Sequence, residues 1–332
     1  MKHNNARWIS LGALGMLAGL GIASQLNEHP LTDDPTMVYI KHGFVRRDLI
    51  TPVGRMAYYE RGNGQPLLFL HGIGGGASSW TWNKVATAFK EQYRVIIPDF
   101  VGWGRSEHPA RLLLLEDYMA ELEVLLQHIG QPCTIVAQGL SAGVAAALSR
   151  KLPELVAGLV LCSPAGGNDL SEDQFTAFFR IVFEPIARTY PINMIFYRLV
   201  FHNYDFIKRW FTISGFYDKQ AVTNEIVKGY LYSARQPNGA YAALPFLSGE
   251  LRFDMAPFLR EVKGAAVIVW GDHETQIQPR VQAGLAAANV TIPVVKINRA
   301  RTNFELEHPA QTIAVIEQFL ASINANKTMV ST

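Results

Sequence analysis

Five short apolar runs, separated by stretches of helical character, constrain this chain more than any other feature. They are residues 66–70 (PLLFL), 93–98 (YRVIIP), 133–137 (CTIVA), 156–162 (VAGLVLC) and 265–270 (AAVIVW). Each has the length of a strand buried on both faces, as in parallel sheets whose two sides are covered by helices. Between and after them, residues 82–90, 114–129, 140–151, 278–288 and 309–325 read as helices, and 292–297 reads as a further strand. Two alternating segments, 43–50 and 53–60, come first and end at the Gly62-Asn63-Gly64 turn. The alternation implies an α/β fold built on a mostly parallel sheet, with ligands bound at the carboxyl ends of its strands.

One block breaks this rhythm. Residues 165–248 read as consecutive helices, with aromatic residues crowded between Phe175 and Tyr217. The expected organisation is therefore a core of residues 43–164 and 249–326, with 165–248 a helical cap inserted after the sixth strand. The aromatic density suits a helix-packing core. It equally suits an apolar lid shaping a pocket for a lipophilic ligand, or a face resting on a membrane.

Residues 1–42 stand apart. Trp8–Leu26 (WISLGALGMLAGLGIASQL) carries no charge, follows Lys2 and Arg7, and precedes Glu28, Asp33 and Asp34. Roughly 20 apolar residues span a bilayer, so the stretch suffices for a single transmembrane anchor with its N-terminus on the cytoplasmic side. A cleaved signal peptide competes, since Gly21-x-Ala23 is a passable cleavage site and would give an exported protein. The four glycines weaken a helix here, which leaves an interfacial or buried segment as a third reading. Over the whole chain charge is nearly balanced, with 30 Lys and Arg against 28 Asp and Glu, so no nucleic-acid surface is implied. Cys133 and Cys162 lie outside any metal-ligand spacing and read as buried core thiols. Gly72-x-Gly74 follows a strand but lacks the third glycine and the acidic residue of a dinucleotide site. No cofactor or metal is implied.

Five motifs then fall in order. His71-Gly72-Ile73-Gly74-Gly75-Gly76 follows the first buried run, and Asp99-Phe100-Val101-Gly102-Trp103-Gly104-Arg105-Ser106 the second. Gly139-Leu140-Ser141-Ala142-Gly143 follows the third, spelling G-x-S-x-G. Gly271-Asp272-His273-Glu274 follows a later strand, and Glu307-His308-Pro309 opens the closing helix. Together they resemble the α/β-hydrolase superfamily, in its capped branch of esterases, lipases, epoxide hydrolases and dehalogenases, over about residues 43–325. The resemblance implies a doubly wound sheet and a triad of nucleophile, histidine and carboxylate. It also implies an oxyanion hole from the N–H of Ile73 and that of the residue after the nucleophile, within a loop shaped by Gly72 and Gly74.

The register of these motifs matters more than their spelling. Laying the family's strand, Gly-x-Ser-x-Gly-Gly and helix on residues 132–142 without gaps puts Gly139, not Ser141, at the nucleophile, with Leu140 supplying the second N–H. Pro153, 14 residues beyond Gly139, fits the same register. Counting back from Glu307-His308-Pro309 puts Arg301 and Thr302 at the family's Gly-His, and threonine is no base near neutral pH. The family's aspartate position falls on Glu274. His308 and His273 are displaced alternatives as base, and the loop Arg299–Asn303 is either solvated or presents cations to an anionic ligand.

Three functions remain open from sequence. The first is a membrane-anchored α/β-hydrolase-fold protein that has lost its triad and binds a lipophilic or carbonyl-bearing ligand, a lipid, or a partner protein. The second is an active serine esterase or lipase using Ser141. The third is a non-hydrolytic, lyase-type activity relying on Glu274 and polar groups of the cleft.

Overall fold

The computed structural model describes residues 34–166 and 184–330, with side chains to residue 325. The apolar runs build one eight-stranded sheet in the order β1-β2-β4-β3-β5-β6-β7-β8. Its strands are β1 (Val45–Ile50), β2 (Arg55–Arg61), β3 (Pro66–Leu70), β4 (Arg94–Pro98), β5 (Cys133–Gln138), β6 (Val156–Cys162), β7 (Ala265–Gly271) and β8 (Val294–Ile297). β2 runs antiparallel to β1 and β4, and every other pairing is parallel. β3 and β5, at the centre, are buried at every residue, which is why their sequences are continuous apolar runs rather than alternating ones. β1, at the edge, is exposed along nearly its whole length, with only Leu49 partly covered.

Helices Leu115–Ile129, Leu140–Lys151 and Pro279–Ala288 pack into the apolar cluster on one face. Residues 83–89 and the closing helix Pro309–Val330 pack into the cluster on the other. The segment expected as one helix over 82–90 is instead Asn83–Ala86 flanked by two 3-10 turns, Ser79–Trp82 and Thr87–Phe89. Both cysteines are free and buried.

Between β6 and β7 the described chain is helical: Ile192–Phe201, Tyr204–Trp210, Asn224–Ala234, Gly239–Ser248 and Ala256–Arg260. Their aromatics do two jobs. Tyr204, Ile207, Phe211, Phe216, Ile226, Tyr230 and Leu231 make a core of their own with Trp80 of the loop after β3. Phe196, Tyr197, Ala242 and Leu247 instead join the main core. Hydrogen bonds tie the helices to loops at the carboxyl ends of the strands. Ser233 Oγ donates to Ala77 O at 3.0 Å and accepts from Gly104 N at 3.0 Å. Glu307 accepts from the N–H groups of Tyr217 (3.1 Å) and Asp218 (2.6 Å). Among the described residues no helix is long and apolar enough to cross a membrane, and Trp8–Leu26 lies outside them.

Candidate functional site

The turn from β5 into the helix Leu140–Lys151 pivots on Gly139, whose φ of +60° and ψ of −126° an L side chain rarely adopts. Ser141 lies two residues further on, in the first turn of the helix and fully buried. Its hydroxyl donates to Gln138 O at 2.8 Å and accepts from Gln138 N at 3.1 Å, closing the turn back onto the strand. No histidine is among its partners. Gly143 faces Phe253, whose ring atoms lie 2.4 Å from where a Cβ would stand. Each letter of G-x-S-x-G thus has a local cause: a left-handed turn, a backbone-capping hydroxyl, and a seat for an aromatic ring.

Around Gly139 there is space. A Cβ built there would meet nothing nearer than Gly72 Cα at 4.0 Å. Gly139 N donates to Cys162 O at 2.9 Å, and Ala165 N donates to Gly139 O at 3.2 Å, so the turn is stitched to the end of β6. The N–H of Leu140 opens its helix, where no intrahelical acceptor exists. Neither it nor the N–H of Ile73 has an acceptor among the described residues.

The glycines of the loop after β3 differ in what they face. A Cβ on Gly75 would fall 2.0 Å from the Phe201 ring, and one on Gly76 (φ +91°) 2.4 Å from Tyr230 O. The inserted helices are what approach these two. Only at Gly74 is the space open, while Gly72 faces Gln138 Oε1 at 3.3 Å.

Glu274 and Thr302 meet. The Thr302 hydroxyl lies 2.7 Å from both carboxylate oxygens and donates to them. Glu274 also accepts from Gln276 N at 2.7 Å. Ser163, at φ +41° just beyond β6, donates to Thr302 O at 3.2 Å and lies 3.5 Å from Glu274 Oε2. A carboxylate is therefore held where the resemblance places a triad acid, but it orients a hydroxyl.

His273 and His308, the two alternatives as base, are otherwise engaged, and so is His71. His71 is fully buried, accepts from Phe100 N through Nε2 (3.1 Å), and so donates from Nδ1 to Gly72 O (2.8 Å). Burial lowers its pKa to about 4, which keeps it neutral. His273 Nδ1 bonds Asp272 at 2.7 Å and its ring packs on Tyr217. His308 Nε2 bonds Arg299 O at 2.9 Å, at the start of the closing helix. The cations of the Arg299–Asn303 loop contact the segment between β6 and β7. Arg301 donates to Ile213 O, and Arg299 lies over the Tyr217 ring.

A buried polar chain behind the turn was not singled out from sequence. Gln138 Nε2 donates to Glu305 Oε1 at 2.8 Å, and Asn303 Nδ2 lies 3.3 Å from the same oxygen and 3.4 Å from Tyr230 OH. Desolvation pushes Glu305 up to about 8, so its carboxyl is mostly neutral at pH 7. A lone glutamate in a short helical turn gives no sequence signal for this. Ser163 had one, its place at a strand's carboxyl end. Among the described residues no group of three or more side chains could hold a metal ion.

The profile of the Alpha/beta hydrolase family matches residues 67–315, a span holding all five motifs and the sheet from β3 to β8. The chain belongs to the alpha/beta hydrolase family. Among curated relatives it is 33% identical to 2-hydroxymuconate semialdehyde hydrolase of Pseudomonas sp. (strain CF600), over 37% of this chain and 44% of that one. It is 37% identical to Lipase 1 of Psychrobacter immobilis, over 34% of this chain and 36% of that one. These alignments span less than half of the relatives' length. Among solved structures, a membrane phospholipase A superposes with a TM-score of 0.70 at 18% identity, covering 98% of this chain and 99% of that one. At that identity the hydrolase likeness is one of fold.

Proposed function

We propose that this alpha/beta hydrolase-fold protein binds a lipophilic, carbonyl-bearing ligand at the Gly139 turn and does not hydrolyse it. The observation that carries the reading is the turn itself. The strained strand-to-helix position, where this fold holds its nucleophile, is occupied by a residue with no side chain. The second support is Thr302, whose hydroxyl meets the Glu274 carboxylate where a histidine would be oriented. Losing either triad member costs a working hydrolase on the order of 10⁴–10⁶ in rate. What is left, the N–H groups of Ile73 and Leu140, the space beside Gly139 and the aromatic helices above, suits binding. Ser141 does not rescue the chemistry, because the partners of its hydroxyl are backbone groups, those of Gln138 and Leu70 O at 3.4 Å.

Trp8–Leu26 anchors the protein in a membrane with its N-terminus cytoplasmic, on the strength of its uncharged length and basic flank. A mature chain beginning near Ser24 would replace the anchor with a cleaved signal. The binding and turnover halves are tested together by incubating the full chain with a fluorophosphonate probe and with medium-chain acyl esters. Saturable ester binding without covalent labelling is expected. Labelling that disappears in Ser141→Ala would establish an active serine hydrolase instead.

A further inference from the structure

We propose that the exposed face of the helices Ile192–Phe201 and Tyr204–Trp210, continuing to Ile213, docks on an anionic phospholipid surface. Ile192, Ile195 and Arg198 recur every three residues along the first helix, and Phe206, Arg209 and Ile213 every three or four along the second helix and its continuation. Such spacing keeps each set on one side. These are large apolar groups left in water: Ile195 is 56% exposed and Ile213 55%, with Ile192 and Phe206 about 40% and Tyr190 beside them more exposed still. They sit among cations. Arg198, Lys208 and Arg209 have no ion-pair partner among the described residues, and Asp205 is the one carboxylate on the two helices. Bulky apolar groups interleaved with unpaired cations match a bilayer interface carrying negative charge.

Where the chain enters the fold favours a membrane as the occupant. Asp34 pairs with Arg105, and the Arg105 guanidinium lies over the Tyr232 ring. Tyr232 belongs to the helix Asn224–Ala234, which shares an apolar core with Tyr204, Ile207 and Phe211. The first described residue therefore sits on the side of the molecule that carries the inserted helices. Seven residues separate it from Leu26, a tether of at most roughly 25 Å. If Trp8–Leu26 spans a bilayer, as proposed above and on which this inference rests, the inserted helices are held within reach of its surface.

The test uses the full chain carrying Ile195→Cys, Ile213→Cys or Val290→Cys, each labelled with an environment-sensitive fluorophore; Val290 is 86% exposed and follows the helix Pro279–Ala288 in the core. The native cysteines are buried. The labelled chains are reconstituted into vesicles of seven parts phosphatidylcholine to three of phosphatidylglycerol, with and without a spin-labelled lipid. Expected are co-flotation of all three, a blue shift and quenching at 195 and 213 but not at 290, and loss of both changes in Lys208→Glu/Arg209→Glu. Co-flotation with labels at 195 and 213 as wet as that at 290 overturns the docking face and leaves the anchor standing. Failure to float overturns the anchor and the docking face with it. Labels already buried in detergent before lipid is added would mean that a second copy covers the face, and would overturn the lipid assignment.

Discussion

Gly139 shows how little of a motif's meaning lies in its letters. The chain tolerates φ +60° there because glycine has no Cβ, and Gly139→Ala should cost roughly 1–3 kcal/mol of backbone strain even though the added methyl finds room. Ser141→Ala should cost a similar ~1–3 kcal/mol, by leaving the buried groups of Gln138 short of a partner, and should leave ligand affinity unchanged. Urea unfolding read beside ligand titration separates these two effects. Glu305 offers a titration test. Burial raises its pKa from 4.5 to about 8, so the folded state holds a proton that the unfolded state releases between those values. Stability should fall as pH rises through that window, by at most about 1.4 kcal/mol per pH unit from this group, and level off above it. Glu305→Gln keeps the hydrogen-bonding shape without the proton, so its unfolding free energy between pH 5 and 8 should be flatter than that of the unaltered chain.

At the level of elements, the glycine loop after β3 and the inserted helices fit one another. Gly76→Ala combines a positive φ with a Cβ 2.4 Å from Tyr230 O, so the helix Asn224–Ala234 must shift to admit it. Limited proteolysis should then cut between residues 190 and 240 faster than in the unaltered chain, with cleavage in the core slower to change. The sheet was legible in advance because its central strands are buried on both faces and so spell continuous apolar runs. The place of Gly139 between strand and helix was legible because the apolar run 133–137 ends before it and Pro153 follows the helix after it. What could not be read was set by contacts distant in sequence. Glu305 lies 167 residues from Gln138, Ser163 lies 111 from Glu274, and the neighbours of Gly75 and Gly76 come from helices more than a hundred residues later. The helix expected over 82–90 breaks into shorter turns, a tertiary outcome that local spacing does not encode.

As a whole molecule the protein keeps the scaffold of an enzyme. The sheet, the N–H groups of Ile73 and Leu140 that have no acceptor among the described residues, the Glu274 carboxylate and the open space at Gly139 are the parts on which the proposed binding site draws. If the chemistry is missing only where Gly139 and Thr302 stand, restoring those two side chains together should restore it. Gly139→Ser alone gives a hydroxyl without a base, and Thr302→His alone a base without a nucleophile, so both should stay near the level of the unaltered chain. The deciding measurement is the rate of p-nitrophenyl acyl ester hydrolysis by the unaltered chain, the two single variants and the Gly139→Ser/Thr302→His double variant. A rate well above background in the double variant only is the predicted result; hydrolysis by the unaltered chain that Ser141→Ala abolishes would contradict it.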